Sequence, residues 1–182
     1  MIDMRRPVSC LVLFLITFIS SGYLHAQPPA KQAYFSPRGG CTQAIVDNLS
    51  HTERTVLIQA YSFTSEPIAE ALIDAHKRGV KVKILLDKSQ RHGKGSKVDL
   101  LVNDGIPVSI DTKHAIAHNK VMIIDGVIVM TGSFNFTNAA EDRNAENLLI
   151  VRDKFLATKY RNNWNKHQKH STPYTAIEDL KQ

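Results

Sequence analysis

The stretch HNKVMIIDGVIVMTGSFN, residues 118–135, constrains the fold more than any other part of the sequence. Two short apolar runs, 121–124 and 127–130, are separated by Asp125-Gly126. Asp-Gly between two such runs predicts a β-hairpin closed by a two-residue turn. In that register Ile124 faces Val127, Lys120 faces Thr131, and His118 faces Ser133. Side chains alternate between faces with period two. His118, Lys120, Thr131, Ser133 and Asn135 are therefore expected on one face, at the open end of the hairpin. Asp125 falls at the closed end, about 16–23 Å away at roughly 3.3 Å per residue. With Gly126 it reads as a structural turn.

Around this hairpin, strand-like and helix-like segments alternate. Strands are predicted at 34–36, 55–63, 80–86, 107–110 and 146–151, where β-branched and aromatic residues cluster. Helices are predicted at 41–49, from Ser65 to Gly79, at 98–103 and at 153–170. Ser65 stands where a cap belongs, with Pro67 in the first turn and Lys77 and Arg78 in the last. On the final helix, Phe155, Leu156, Tyr160 and Trp164 fall on or near one face. This alternation predicts an α/β fold, a mixed β-sheet sandwiched between α-helices. The hairpin makes part of the sheet antiparallel.

The ends of the chain read differently from its middle. Residues 1–26 carry Arg5 and Arg6, then an almost unbroken apolar run at 8–19, and end at Ala26. That order predicts a cleaved secretory signal peptide and an exported, periplasmic or secreted protein. The alternative is an N-terminal membrane anchor, although the apolar run is shorter than the roughly 20 residues a spanning helix needs. Residues 27–33 read as a short leader, 34–170 as a single catalytic domain and 171–182 as a C-terminal tail. Removing 26 of 182 residues leaves 156, enough for one domain with its own core. The formal charge is +6, of which residues 1–26 supply one, so the mature part stays basic. Moderate basicity favours an anionic partner, nucleic acid or acidic lipid, without choosing between them. Of the two cysteines, Cys10 leaves with the signal, so Cys41 has no partner for an internal disulfide and reads as a buried small residue.

The polar end of the hairpin carries the chemistry. A lysine, an amide and a hydroxyl converging on one point suit an oxyanion such as phosphate. A histidine beside them can act as base, acid or nucleophile near neutral pH. No second histidine stands at ligand spacing beside His118, and no acidic pair accompanies it, so no metal and no cofactor is expected. Phosphate-ester cleavage without metal is the inference. A flexible basic loop, KSQRHGKGSK at 88–97, offers Lys88, Arg91, Lys94 and Lys97 for substrate binding, since such a loop can follow a phosphate backbone without reading bases.

His118, Lys120, Asp125, Gly132, Ser133 and Asn135 match the signature of the phospholipase D superfamily: HxK, four residues, Asp, six residues, then GSxN. With QAYSFTS at 59–65, KRGVKVKILLD at 77–87 and TGSFNFTNAAE at 131–141, the chain resembles the small secreted bacterial endonucleases of that superfamily, from about residue 34 to 151. The resemblance implies a phospholipase D-like fold and a covalent phosphohistidine intermediate. One histidine attacks phosphorus, and a second protonates the leaving oxygen and then activates water. The motif occurs once here, so a twofold homodimer would bring the two copies of His118 to one site. The resemblance further implies that Lys120 and Asn135 hold phosphate oxygens, that Ser133 supports the site, and that Glu146 orients the histidine ring. The expected activity is that of a metal-independent phosphodiesterase, a non-specific endonuclease on DNA or RNA. The alternative is a phospholipase D or cardiolipin-type hydrolase of phospholipid, for which no exposed apolar rim is evident and Phe134 and Phe136 read as core. A non-catalytic phosphate-binding protein fits less well, because binding needs no nucleophile with an orienting carboxylate.

Overall fold

The computed structural model describes residues 29–176. The predicted signal peptide and the last six residues lie outside them.

Eight strands form one sheet: β1 (Lys31–Phe35), β2 (Thr55–Ala60), β3 (Lys81–Asp87), β4 (Val108–Asp111), β5 (Lys120–Ile124), β6 (Ile128–Gly132), β7 (Asn147–Arg152) and β8 (Thr172–Pro173). Their order is β1-β7-β6-β5-β2-β3-β4-β8. β2, β3 and β4 run parallel, and the other pairings are antiparallel. The helices are α1 (Cys41–Ser50), α2 (Glu66–Lys77), α3 (Val98–Asn103), α4 (Asn138–Asp142) and α5 (Lys154–Gln168).

Alternation along the strands divides the core in two. Val56, Ile58, Val82, Ile84, Met122 and Met130 face one side and pack with Ile45, Leu49, Ile68 and Leu72 of α1 and α2. Leu85, Val121, Ile123 and Val129 face the other and pack with Ala157 and Trp164 of α5. The Trp164 indole N–H donates to the Ile58 carbonyl at 2.7 Å, which pins α5 to the middle of the sheet. The mixed α/β sandwich is thus as predicted. Cys41 lies fully buried at the start of α1, and burial, with the charge of Glu141 adding to it, pushes its thiol up to about 11.

Several expectations are corrected. Residues 31–33 of the supposed leader form most of β1, paired with β7. The supposed tail adds β8 and buries Tyr174 and Ala176, so residues 171–176 complete the fold. The basic segment at 88–97 is not a plain flexible loop: it opens with a turn of 3₁₀ helix at Lys88–Arg91, anchored by buried Gln90, whose side-chain oxygen accepts the Phe63 N–H at 3.0 Å. Ser65 stands at the cap of α2, but its hydroxyl makes no capping bond. Phe155 points to solvent, and its place on α5 is taken by Ala157.

The hairpin register is also shifted by one. Asp125 and Gly126 both take left-handed backbone (φ 52° and 69°), and the Val127 N–H donates to the Ile124 carbonyl, as a two-residue turn requires. Val127 is then an extra residue, its carbonyl taken by Asp153 N–H at 2.9 Å, and the ladder resumes with Ile124 opposite Ile128. Val121, not Lys120, therefore faces Thr131. Thr131 lies on the α5 side of the sheet with Val121, away from Lys120.

Candidate active site

The open end of the hairpin lies where β2, β3 and β4 also end. Ala60 pairs with Lys120, and Asp87 with Asp111. The segment leaving β2 ties the two halves of the signature together. Tyr61 N–H donates to the Asn119 carbonyl at 2.9 Å, and the Thr64 and Ser65 N–H groups donate to the Phe136 carbonyl at 2.9 and 3.0 Å. Phe63, Phe134 and Phe136 are buried beneath this crossing, in the core as expected. Gly132 is required by close approach: a Cβ there would collide with the Asn147 carbonyl.

His118 is exposed, and its ring lies 4.5 Å from that of Tyr61. Lys120 is only 7% exposed. Its ammonium donates to the His118 carbonyl at 2.9 Å and sits 4.9 Å from the Tyr61 ring centre. It makes no ion pair among the described residues. Burial lowers its pKa, opposed by the negative charge of Glu146. Asn135 has its side-chain oxygen buried without a partner. Ser133 accepts from the Asn147 backbone N–H at 3.1 Å and side-chain amide at 3.3 Å, so its oxygen secures the start of β7. Glu146 immediately precedes β7, and its carboxylate accepts from the Asn144 amide at 3.1 Å. The His118 ring rests on Tyr61, and within one copy no hydrogen bond joins it to Glu146 among the described residues.

Asp125 stands at the far end, as its turn role predicts. Its carboxylate accepts from the backbone N–H groups of Glu53, Arg54 and Thr55 at 3.1, 2.8 and 2.8 Å. That explains the aspartate in the signature: it fixes the hairpin turn to the start of β2. A cavity of about 630 Å³ opens at this end, lined by Tyr34, His51, Asp125 and Arg152 among others, and includes none of the signature's polar residues from the open end.

The basic segment does reach the His118 end. Lys88 donates to the His114 carbonyl at 3.4 Å, and Lys97 N–H to the Phe63 carbonyl at 3.0 Å. Lys97 is paired with Glu66, Arg91 lies over the Tyr174 ring, and Lys94 makes no ion pair among the described residues. Two exposed apolar side chains also stand at this end: Phe35 (67% exposed), opposite Asn147, and Ile116 (59%), two residues before His118. The sequence gives no sign of this apolar rim, because it comes from two segments far apart along the chain.

One cluster was missed altogether. Asp111, His114, His167 and His170 bring four metal-ligand atoms within 4.8 Å of one another. The absence of any metal site expected from the surroundings of His118 does not extend to this place. The signal was present as DTKH at 111–114 and HQKH at 167–170, two pairs each spaced by two residues. Nothing in the sequence says that β4 and the end of α5 meet.

The comparisons with known proteins agree with this geometry. Residues 45–168 match the family model described as "Cardiolipin synthase, PLD-like domain". The chain belongs to the phospholipase D superfamily. A protein named phospholipase D from Rickettsia typhi is 52% identical over 130 residues, covering 71% of this chain and 64% of that one. The chain thus spans just under two thirds of that relative's length. A mitochondrial cardiolipin hydrolase from Chlamydomonas reinhardtii is 34% identical over 121 residues, 66% of this chain and 54% of the relative. Among solved structures, the phospholipase D family member Nuc from Salmonella typhimurium superposes with a TM-score of 0.78 at 36% identity, covering 82% of this chain and all of that one. NucT from Helicobacter pylori gives 0.71 at 26% identity, covering 79% and 98%. The chain thus covers nearly the whole of both those proteins.

Proposed function

We propose that this chain is a phosphodiesterase that cuts nucleic acid, DNA or RNA, with little sequence preference and without a metal at the reacting phosphorus. The observation that carries the reading is Lys120, a buried ammonium with no carboxylate partner among the described residues, beside an exposed histidine. A buried cation in that position is completed by an anion. Phosphate supplies it: one oxygen on the Lys120 ammonium, another on the Asn135 amide, one end of which lies buried and unpaired. The two ends of an amide are distinguished by the bonds they make, so either orientation serves.

His118 then attacks phosphorus. The ester oxygen leaves with a proton from a second imidazole, and water cleaves the phosphohistidine. One copy has one such histidine, so the second comes from His118 of a twofold-related copy. Phe35 and Ile116 are apolar surface that this second copy covers. The two imidazoles start in opposite protonation states and titrate as a coupled pair. The basic segment and overall positive charge favour a polyanion, and the predicted signal peptide supports a site of action outside the cytoplasm.

The test offers purified protein single- and double-stranded DNA, RNA, and phosphatidyl lipids including cardiolipin vesicles, all in EDTA. Cleavage of nucleic acid alone supports the reading. Loss of all turnover, restored by Mg²⁺ or Mn²⁺, overturns the metal-free chemistry, and full activity in a strict monomer overturns the shared site. A mature N-terminus still at Met1 overturns signal cleavage. A second reading, hydrolysis of phospholipid, is favoured by exposed Phe35 and Ile116 and by the names of the Rickettsia and Chlamydomonas relatives. It prevails if the vesicles are cut and nucleic acid is not.

A further inference from the structure

The buried carboxylate of Asp111, at the end of β4, is 1% exposed. His114 follows in the next turn, and His167 and His170 come from the last turn of α5 and just beyond it. One oxygen, Asp111 Oδ2, meets three imidazole nitrogens: His114 Nδ1 at 2.9 Å, His167 Nδ1 at 2.9 Å and His170 Nε2 at 3.3 Å. The ring centres are 4.8, 5.1 and 5.4 Å apart.

Hydrogen bonding alone accounts poorly for this arrangement. A carboxylate oxygen has about two lone-pair directions, and three ring nitrogens crowd one oxygen here. Its partner Oδ1 accepts from the backbone N–H groups of Lys113 at 3.1 Å and His114 at 3.3 Å and also lies 3.1 Å from His114 Nδ1. Backbone bonds of this kind fix the direction of a ligating carboxylate. Ligands about 2.0–2.1 Å from a tetrahedral zinc lie roughly 3.3 Å from each other. The contacts to Oδ2 run from 2.9 to 3.3 Å, and all four ligand atoms lie within 4.8 Å of one another, so the imidazoles draw together around the ion.

We propose that Asp111, His114, His167 and His170 bind a zinc ion in a closed structural site. Three imidazoles and one carboxylate suit zinc among the common divalent ions: magnesium and calcium want oxygen, and copper(II) and nickel prefer planar arrangements. Four protein ligands leave no open position for a reacting water, so the ion holds structure and takes no part in turnover. It clamps the end of α5 to the turn at 112–117, which leads into His118. That turn is already held at Ala117, whose N–H donates to Asp87 Oδ2 at 2.7 Å. The zinc therefore fixes the near end of the short segment that carries the histidine, and it closes a chain loop running from Asp111 to His167.

The test uses the full chain and reads metal content and melting temperature, so it stands or falls separately from the proposed reaction. Purified protein is given zinc, dialysed, and analysed for bound metal. One zinc per chain is expected, with the melting temperature lowered by a strong chelator and restored by Zn²⁺ but not Mg²⁺. Cobalt(II) in its place should give the intense visible absorption of four-coordinate cobalt. His114→Gln, at a 43% exposed side chain, folds and binds zinc roughly 100-fold or more weakly, beyond the 10–100-fold typical of outer partners. His118→Ala keeps its zinc, which excludes the candidate active site as the place of binding. Folded wild-type protein that retains no zinc after dialysis overturns the proposal. So does zinc that survives in a His167→Ala/His170→Ala double variant, six-coordinate cobalt absorption, or a melting temperature indifferent to the metal.

Discussion

The two polar clusters at the His118 end of the sheet are built on opposite plans. Around Asp111 one ring nitrogen from each of three histidines gathers on a single carboxylate. Around Lys120 the groups stay apart: the ammonium has only a carbonyl, Asn135 has an unpartnered atom, and His118 touches an aromatic ring. Side chains gathered on one point suit a closed structural site. Polar groups held apart and unpaired cost stability and wait for a substrate. The difference separates a structural site from a reactive one without reference to any relative.

The largest effect that sharpens this contrast is at His118. His118→Ala should lower turnover by roughly 10⁴-fold or more and leave the melting temperature within a degree or so, because the ring is exposed. Steady-state rates and a thermal melt on the same sample check both halves. If the variant melted well below the wild type, the open cluster would be structural after all.

Lys120 comes next, and here function and stability should move in opposite directions. Lys120→Met should cost about 10²–10³-fold in turnover, the range for removing one preorganised charge-stabilising group. The same change should raise the melting temperature near neutral pH, because it removes a buried charge that lacks a partner. The pH dependence follows from the lowered lysine pKa. Below the folded value the buried ammonium is a full penalty. Between the folded value and the ordinary lysine value, the unfolded chain holds more protons, so wild-type stability rises with pH. The gap between variant and wild type should therefore shrink as pH rises through that window. Inorganic phosphate should raise the melting temperature of the wild type and not of Lys120→Met.

A smaller effect tests the far end of the hairpin. Asp125→Ala removes the acceptor for three backbone N–H groups. It should cost stability toward the low end of the roughly 1.5–3 kcal/mol typical of bonds to a charged group, by urea denaturation. The rate constant at saturating substrate should change little, since Asp125 stands at the closed end. A large fall in that constant with unchanged stability would place Asp125 in the chemistry.

These residues also show what the sequence made legible. The hairpin halves, the helix at Val98–Asn103 and the sandwich could be read because period and turn chemistry are local properties. So could the place of His118 and Lys120 at the open end, which needs only one hairpin. What could not be read depends on contacts between distant segments. The one-residue shift at Val127 is set by β7, through Asp153, and no local pattern records it. The bond from the Asn144 amide to one Glu146 oxygen is set by the geometry of one loop. The Asp111 cluster forms only once the chain between Asp111 and His167, 56 positions apart, has folded.

The smallest effects lie in the basic segment, and they divide nucleic acid from lipid. Lys94 makes no ion pair among the described residues, whereas Lys97 is paired with Glu66. On a nucleic acid substrate, each lysine that releases a counterion contributes about 0.9 to the slope of log affinity against log salt for duplex DNA. Lys94→Ala should therefore weaken binding a few-fold at low salt and lower that slope by about one. Lys97→Ala should leave the slope unchanged, because its charge is already neutralised within the protein. Equal slopes for both variants and the wild type would mean that the segment does not touch the backbone, and would shift the balance toward the apolar rim of Phe35 and Ile116 as the surface that meets substrate.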